Sequence, residues 1–316
     1  MSGSPRPSAP TVPAGPAAFA PVDVVQLLAL SSMWGLSFLF VEVALRDLGP
    51  LWIVAGRTTV GGVVLVTIGL VGRRSLPRGI RLWADLLVLG ILSMAAPWTI
   101  LAWAQQTLPS GLAGLLMAIV PTSTLLVAAA VGLERITARR VAGLLLALAG
   151  VGVIVAGGLE QPGRVLAVLV VVFATLMYAS GAVYAKRRVS GRAQPLGLAA
   201  GQVLASALIM VPVAVIVEGP VPGPSAVSGT AIGAVVLLGL FGTGFAFVLF
   251  YSLVARVGAT NATLTTYLIP VVAVMAGAVV LGERLGPEAL AGGALILVGI
   301  WLAQRVTPTS RAAVAP

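Results

Sequence analysis

Ten stretches of this chain are each long and apolar enough to cross a lipid bilayer, and this pattern decides what it can fold into. They run over residues 24–45, 50–71, 83–104, 110–132, 138–158, 165–185, 195–217, 230–254, 259–281 and 288–306. A helix needs about 20 apolar residues to cross roughly 30 Å of hydrocarbon. Backbone groups in lipid have no water to bond, so each stretch satisfies its own amides as a helix. The runs are continuous, unlike the alternating strands of an outer-membrane barrel. Composition agrees: 59% of the residues are hydrophobic and 9% charged, against about 25% charged in a soluble domain. A soluble enzyme, a secreted disulfide scaffold and a disordered chain are excluded. The chain has no cysteine and no histidine. Disulfides, thiol nucleophiles and Cys or His metal ligands are thereby removed, and neither a metal nor a cofactor is expected. Residues 1–22, with six prolines, read as a disordered tail, and residues 308–316 as a short polar one.

The formal net charge of +10 would suggest nucleic acid in a soluble protein. Here it records topology. With the N-terminus inside, the inner segments carry 15 bases, among them Arg6, Arg73, Arg74, Arg78, Arg81, Arg135, Arg139, Arg140, Lys186, Arg187, Arg188, Arg192, Arg256, Arg305 and Arg311. The outer segments carry three, Arg46, Arg164 and Arg284. This bias predicts a multi-pass protein of the bilayer with both termini in the cytoplasm, and no nucleic-acid partner.

The halves also align with each other. At an offset of 149, Gly90 matches Gly239, Ala113 matches Ala262 and Pro121 matches Pro270. Glu134-Arg135 matches Glu283-Arg284, Gly143 matches Gly292 and Gly150 matches Gly299. The first two spans need a small shift, which brings Pro50 to Pro195 and Trp34-Gly35 near Tyr178-Ala179. Each half, 23–159 and 160–307, has five spans. An odd number inverts the second half relative to the first. The expected fold is an all-α polytopic membrane protein of ten helices in two inverted five-helix repeats, a build used by secondary transporters with a midplane substrate site.

Trp34-Gly35-Leu36-Ser37-Phe38, Pro50 followed by Arg57, and the paired segments Pro121–Glu134 and Pro270–Glu283 together resemble the EamA-type members of the drug/metabolite transporter superfamily. The resemblance covers residues 24–307. It implies an inner-membrane carrier exporting small metabolites or drugs. In the second half Gln202 stands at the position of Arg57.

The residues themselves suggest where a solute would bind. Pro121 and Pro270 lie about ten residues into their spans, roughly 15 Å deep, and would free the carbonyls of Met117 and Thr266. They form either packing kinks or the wall of a cavity. Ser31, Trp34, Phe38 and Glu42 share a face of the first span, where Ser37 is a further candidate, and Trp98, Leu101 and Gln105 share a face of the third,. Tyr267 does so with Pro270, and Tyr178 and Tyr251 add polar-tipped rings. Glu42 and Arg57 are charges inside spans, at depths compatible with an ion pair; they read as a static pair, an outer gate or an anion contact. Glu134 and Glu283 read as interface anchors or gating pairs, with Thr137 capping the fifth span. No phosphate-binding GxxxxGK[ST] run occurs, so ATP-driven pumping is not expected. Nothing clusters as a catalytic site would, so no enzyme activity is expected. The leading reading is an exporter of small organic solutes, amino-acid-like compounds or drugs, by alternating access. The alternative is a non-transporting scaffold or lipid translocator of the same fold. The coupling ion or proton, and the choice between monomer and homodimer, stay open.

Overall fold

The computed structural model describes residues 19–73, 76–134, 137–221, 223 and 225–304, and no strand occurs among the described residues. Ten apolar helices succeed one another: α1 (Pro21–Ala44), α2 (Pro50–Val71), α3 (Ile80–Gln105), α4 (Ser110–Ala130), α5 (Ala138–Ala156), α6 (Pro162–Val189), α7 (Pro195–Glu218), α8 (Gly229–Gly258), α9 (Thr265–Leu281) and α10 (Pro287–Gln304). Proline opens α1, α2, α6, α7 and α10, where its missing N–H costs nothing and its φ is already helical. Thr137 caps α5 by accepting from the Arg140 N–H at 3.3 Å.

Several boundaries depart from the sequence reading: α3 begins at Ile80 instead of 83 and α6 at Pro162 instead of 165. Helix α1 begins at Pro21, with the Ala20 N–H donating to Asp23 Oδ2 at 3.0 Å, and Phe19 packs against the cluster of Leu27 and Leu30. Helix α6 continues to Val189 through a last turn of π-helix. The ninth span starts at Thr265, not near 259. Helical backbone runs on to Ala262 past Gly258, whose φ of 82° is a conformation suited to glycine,, and a turn closed by Leu264 N–H on Asn261 O then separates α8 from α9. Helix α9 has 17 residues, about 26 Å at 1.5 Å per residue. Residues 1–18, with Arg6, and 305–316, with Arg305 and Arg311, lie outside the described residues, as do Arg74 and Arg135.

Helices α5 and α10 pack through facing glycines. A Cβ on Gly143 would stand 2.5 Å from the carbonyl oxygen of Gly299, and one on Gly292 would stand 2.5 Å from that of Gly150. Gly143 is the repeat counterpart of Gly292, and Gly150 of Gly299. Each glycine therefore meets the counterpart of the other, the reciprocal pairing that a two-fold axis imposes. The same exchange occurs elsewhere. Ser37 of α1 faces Gly242 of α8, and Gly181 of α6 faces Ser93 of α3. Helices α3 and α8 each carry an internal π-helical turn, Ile91–Ala95 and Leu240–Phe245, starting 149 residues apart.

The symmetry is broken between α4 and α9. We call the end where α1 begins and α10 finishes the proximal face, and the other the distal face. The distal half of α4 (Ser110–Leu116) packs on α9, with Gly114 against Ala273 and Gly111 against Val274. A 3-10 turn at Met117–Ile119 then bends α4 ahead of Pro121. Its proximal half packs on α6 instead, where Ser123 and Thr175 hydroxyls bond at 2.7 Å. Helix α9 stays one helix through Pro270.

Candidate substrate site

Arg57 is the centre of the candidate site. It lies seven residues into α2, about 10 Å below the distal end, and only 7% of it is exposed. Its guanidinium carbon sits 3.6 Å from the ring centre of Trp98 on α3. Nε donates to Thr243 Oγ1 at 3.3 Å, and Nη2 donates to the Gly242 carbonyl at 3.4 Å. Both acceptors belong to the π-turn of α8. A π-turn shifts the helical ladder by one residue and is common at functional sites. Close approach of α2 to this turn depends on glycine: a Cβ on Gly61 would meet Thr243 at 2.5 Å, and one on Gly239 would meet Val60 at 2.5 Å. Taking a guanidinium out of water costs several kcal/mol unless charge or hydrogen bonds offset it. A desolvated cation–π contact returns about 2 kcal/mol, and the two long bonds to neutral acceptors return less than a carboxylate would.

Aromatic rings extend the site toward the proximal face. Phe247 lies one helical turn beyond Thr243. Its ring is 6.5 Å from that of Trp34 and 6.4 Å from that of Tyr251. Phe250 lies 5.5 Å from Trp34 and 5.3 Å from Tyr251. Phe38, Met117, Tyr178, Phe247 and Tyr267 pack on the same buried cluster as Trp98. Ser37 donates to Met33 O at 2.9 Å and faces Gly242. Of the residues expected from the sequence, Trp98 and, through Gly242, Ser37 adjoin Arg57, whereas Trp34 and Tyr251 pack on Phe247 and Phe250 of α8, and Phe38 and Tyr178 on the extended buried cluster that includes Trp98.

Other expectations are corrected. Arg57 and Glu42 do not pair; the π-turn and Trp98 hold the cation. Glu42 instead accepts from Gln105 Nε2 at 3.4 Å, while the same amide donates to the Phe38 carbonyl at 2.9 Å. The Met117 carbonyl is not freed by Pro121, because it accepts the Val120 N–H within the 3-10 turn. Since α9 begins at Thr265, Thr266 and Tyr267 lie in its first turn, near the proximal face. Thr266 donates to Thr263 O, and Tyr267 donates to Gln304 of α10, both at 2.6 Å. Pro270 lies five residues, about 8 Å, into α9,.

The two glutamates behave differently. Glu283 accepts from the N–H groups of Ser110 and Gly111 at 2.8 and 2.9 Å, capping the N-terminus of α4 from the end of α9. Glu134, its repeat counterpart, is exposed and pairs with Arg140 at 3.3 Å. Glu218, which sequence reasoning passed over, caps α2 in the same manner through Leu51 and Trp52 N–H at 2.9 and 3.1 Å. Thr243, Phe247 and Phe250 were also missed, and Gly242 reads from the sequence as a packing glycine only. Gly90 and Gly239, matched in the repeat alignment, immediately precede the two π-turns and were the available signal. A concavity of about 320 Å³ at the proximal face, lined by Thr124, Leu125, Glu134, Arg140 and Lys186, lies between α4, α5 and α6 and apart from Arg57. Among the described residues no group of three acidic side chains could hold a metal ion.

The fold and sequence have clear relatives. An uncharacterized transporter from Archaeoglobus fulgidus is 27% identical over 88% of this chain and 98% of its own length. A probable terminal-alkyne amino-acid exporter from Streptantibioticus cattleyicolor is 32% identical over 87% of this chain and 90% of its own. A solved structure titled only as a crystal structure of a protein shares the fold, with a TM-score of 0.62 at 24% identity over 89% of this chain and 96% of that one. The EamA-like transporter family matches twice, at residues 24–156 and 165–304, one match for each run of five helices. The chain belongs to the EamA-like transporter family.

Proposed function

We propose that the protein exports small organic solutes, amino-acid-like compounds or drugs, by alternating access between its two inverted repeats. In this reading the proximal face is the cytoplasmic one and both termini are cytoplasmic, as the arginine bias predicts. The repeats comprise residues 23–159 and 160–307, and the protein resides in the inner membrane. The observation that carries the proposal is the unequal state of two equivalent carboxylates. Glu283 is latched on the N-terminus of α4, where α4 and α9 pack together. Glu134 is unlatched, where they do not. Its symmetric targets are the backbone N–H groups of residues 259 and 260. Exchanging the two latches closes the proximal end and opens the distal one. The solute sits between them, against Arg57 and the aromatic wall. The exporter name of the Streptantibioticus cattleyicolor relative supports an amino-acid-like cargo.

The test uses the absence of native cysteine. In Gly111→Cys/Val274→Cys, oxidation ties the distal ends of α4 and α9, where Gly111 packs directly on Val274. Counterflow in proteoliposomes is expected to stop on oxidation and to return on reduction. Undiminished exchange by the fully crosslinked carrier would overturn alternating access.

A further inference from the structure

We propose that Arg57 is the anchor for an anionic group on the transported solute, and that the carrier therefore selects organic carboxylates. This rests on the reading of the protein as a carrier. The argument begins with a shortage of counter-charge. The chain has nine acids, and none lies within 4.0 Å of Arg57. Asp23 serves Arg256, and Asp85 serves Arg188 and Arg192. Glu134 and Glu288 serve Arg140 and Arg164. Glu218 and Glu283 cap helices, Asp47 accepts from the Ser228 N–H, and Glu42 is held by Gln105. Glu160 is exposed in the α5–α6 turn.

The protein thus buries a permanent cation and supplies no anion for it. The two acceptors it does supply are neutral and at long range, and they occupy two of the five N–H groups of the guanidinium. A carboxylate matches that fork geometrically and electrostatically. An anion arriving with the solute is the missing partner.

The surroundings say what else the solute carries. From Arg57 the wall of Phe247, Trp34, Phe250 and Tyr251 accepts an apolar chain or a ring. A second charge is not required. Glu42 sits beside Gln105, whose backbone lies seven residues, about 10 Å, along α3 from that of Trp98, a longer spacing than that between the adjacent amine and carboxylate of an α-amino acid. A carboxylate lacking an amine satisfies this site as well as an amino acid does.

Three six-carbon probes without aromatic rings separate the alternatives: L-norleucine, hexanoate and L-norleucinamide. Binding is read on the full-length protein in detergent by tryptophan fluorescence, with Trp98→Phe identifying the reporting ring. Norleucine and hexanoate are expected to shift the emission, and norleucinamide to leave it unchanged. Arg57→Gln is expected to weaken both acids at least about tenfold, the scale of one charge-assisted bond, and Arg57→Lys to restore part of the affinity. Monodisperse elution of both variants checks folding. Equal binding of norleucinamide, or wild-type affinity for the acids in Arg57→Gln, overturns the anchor and leaves the carrier intact. Failure of all three to bind, while counterflow exchanges a neutral or cationic solute, also overturns the anchor alone. Failure to bind together with no exchange of any solute overturns both readings.

Discussion

The latch at Glu283 can be measured directly. Glu283→Gln keeps one oxygen as acceptor but loses the charge and one of the two bonds to Ser110 and Gly111. Bonds to a charged acceptor contribute about 1.5–3 kcal/mol, and a negative group at a helix N-terminus adds part of this through the helix dipole. A loss of about 2 kcal/mol raises the ratio of distally open to distally closed molecules about 30-fold, at 1.4 kcal/mol per tenfold. Ser110 is the natural reporter. It is fully buried, and its hydroxyl has no hydrogen-bond partner, so Ser110→Cys is nearly isosteric, loses no bond and leaves the capped N–H in place. It also introduces the sole thiol of the chain. Its labelling by a membrane-impermeant maleimide from the distal side should accelerate about 30-fold in Ser110→Cys/Glu283→Gln over Ser110→Cys alone. Adding Glu134→Gln instead should not accelerate it. Equal labelling rates with and without Glu283→Gln would refute the latch.

Other perturbations follow from the same geometry. Gly150→Leu should lower the thermal midpoint in detergent and the folded yield, because its Cβ meets the backbone of Gly292 and Ile296 and overpacking typically costs about 1–3 kcal/mol; wild-type stability would show that α5 and α10 can separate freely. Trp98→Leu should slow exchange roughly tenfold in counterflow by removing the cation–π contact, and Trp98→Phe should slow it less. At the α1–α2 turn, the hydroxyl and backbone N–H of Ser228 hold Asp47 below the ordinary carboxylate range. The contribution of such a depressed group is present above its unfolded pKa and is lost as pH falls through the folded value. Stability should thus decline on acidification below about pH 4 less steeply in Asp47→Asn than in wild type, in denaturation series at matched pH. Glu42→Gln should leave counterflow unchanged, and a dependence of flux on a pH gradient that this variant loses would show instead that Glu42 carries a coupling proton.

Much of the fold is legible in the sequence because lipid leaves the chain few choices. A backbone that cannot bond to water must be helical, so hydropathy alone locates ten spans, and matched pairs such as Gly143 with Gly292 expose the repeat. Errors fall where local backbone departs from a regular helix. Gly258 splits the end of α8 from α9, and no hydropathy window registers a single glycine of positive φ. The π-turns are likewise silent, since their residues are as apolar as their neighbours. Missing them hid the partners of Arg57: Gly242 reads as a packing glycine until the turn brings its carbonyl to α2. Helical spacing alone collects Trp34 and Phe38 on one face. Their partner rings on α8 required the tertiary contact. Glu42 and Arg57 were matched by depth alone, and depth does not say which neighbour each charge faces around the helix.

The glycine contact between α5 and α10 has a consequence for how mutations accumulate. Helix α5 is the least buried of the nine long spans, with 28% of its hydrophobic window inside the protein. Most of its side chains meet lipid, which accepts almost any apolar residue. Saturation mutagenesis should therefore record it as permissive, with Gly143 and Gly150 as two forbidden positions seven residues apart. Helix α10 should show the same at Gly292 and Gly299. A covariation search would find little there, because a position that admits a single residue has no variation to correlate. The closest joint between the repeats would be invisible to the statistics usually used to find contacts.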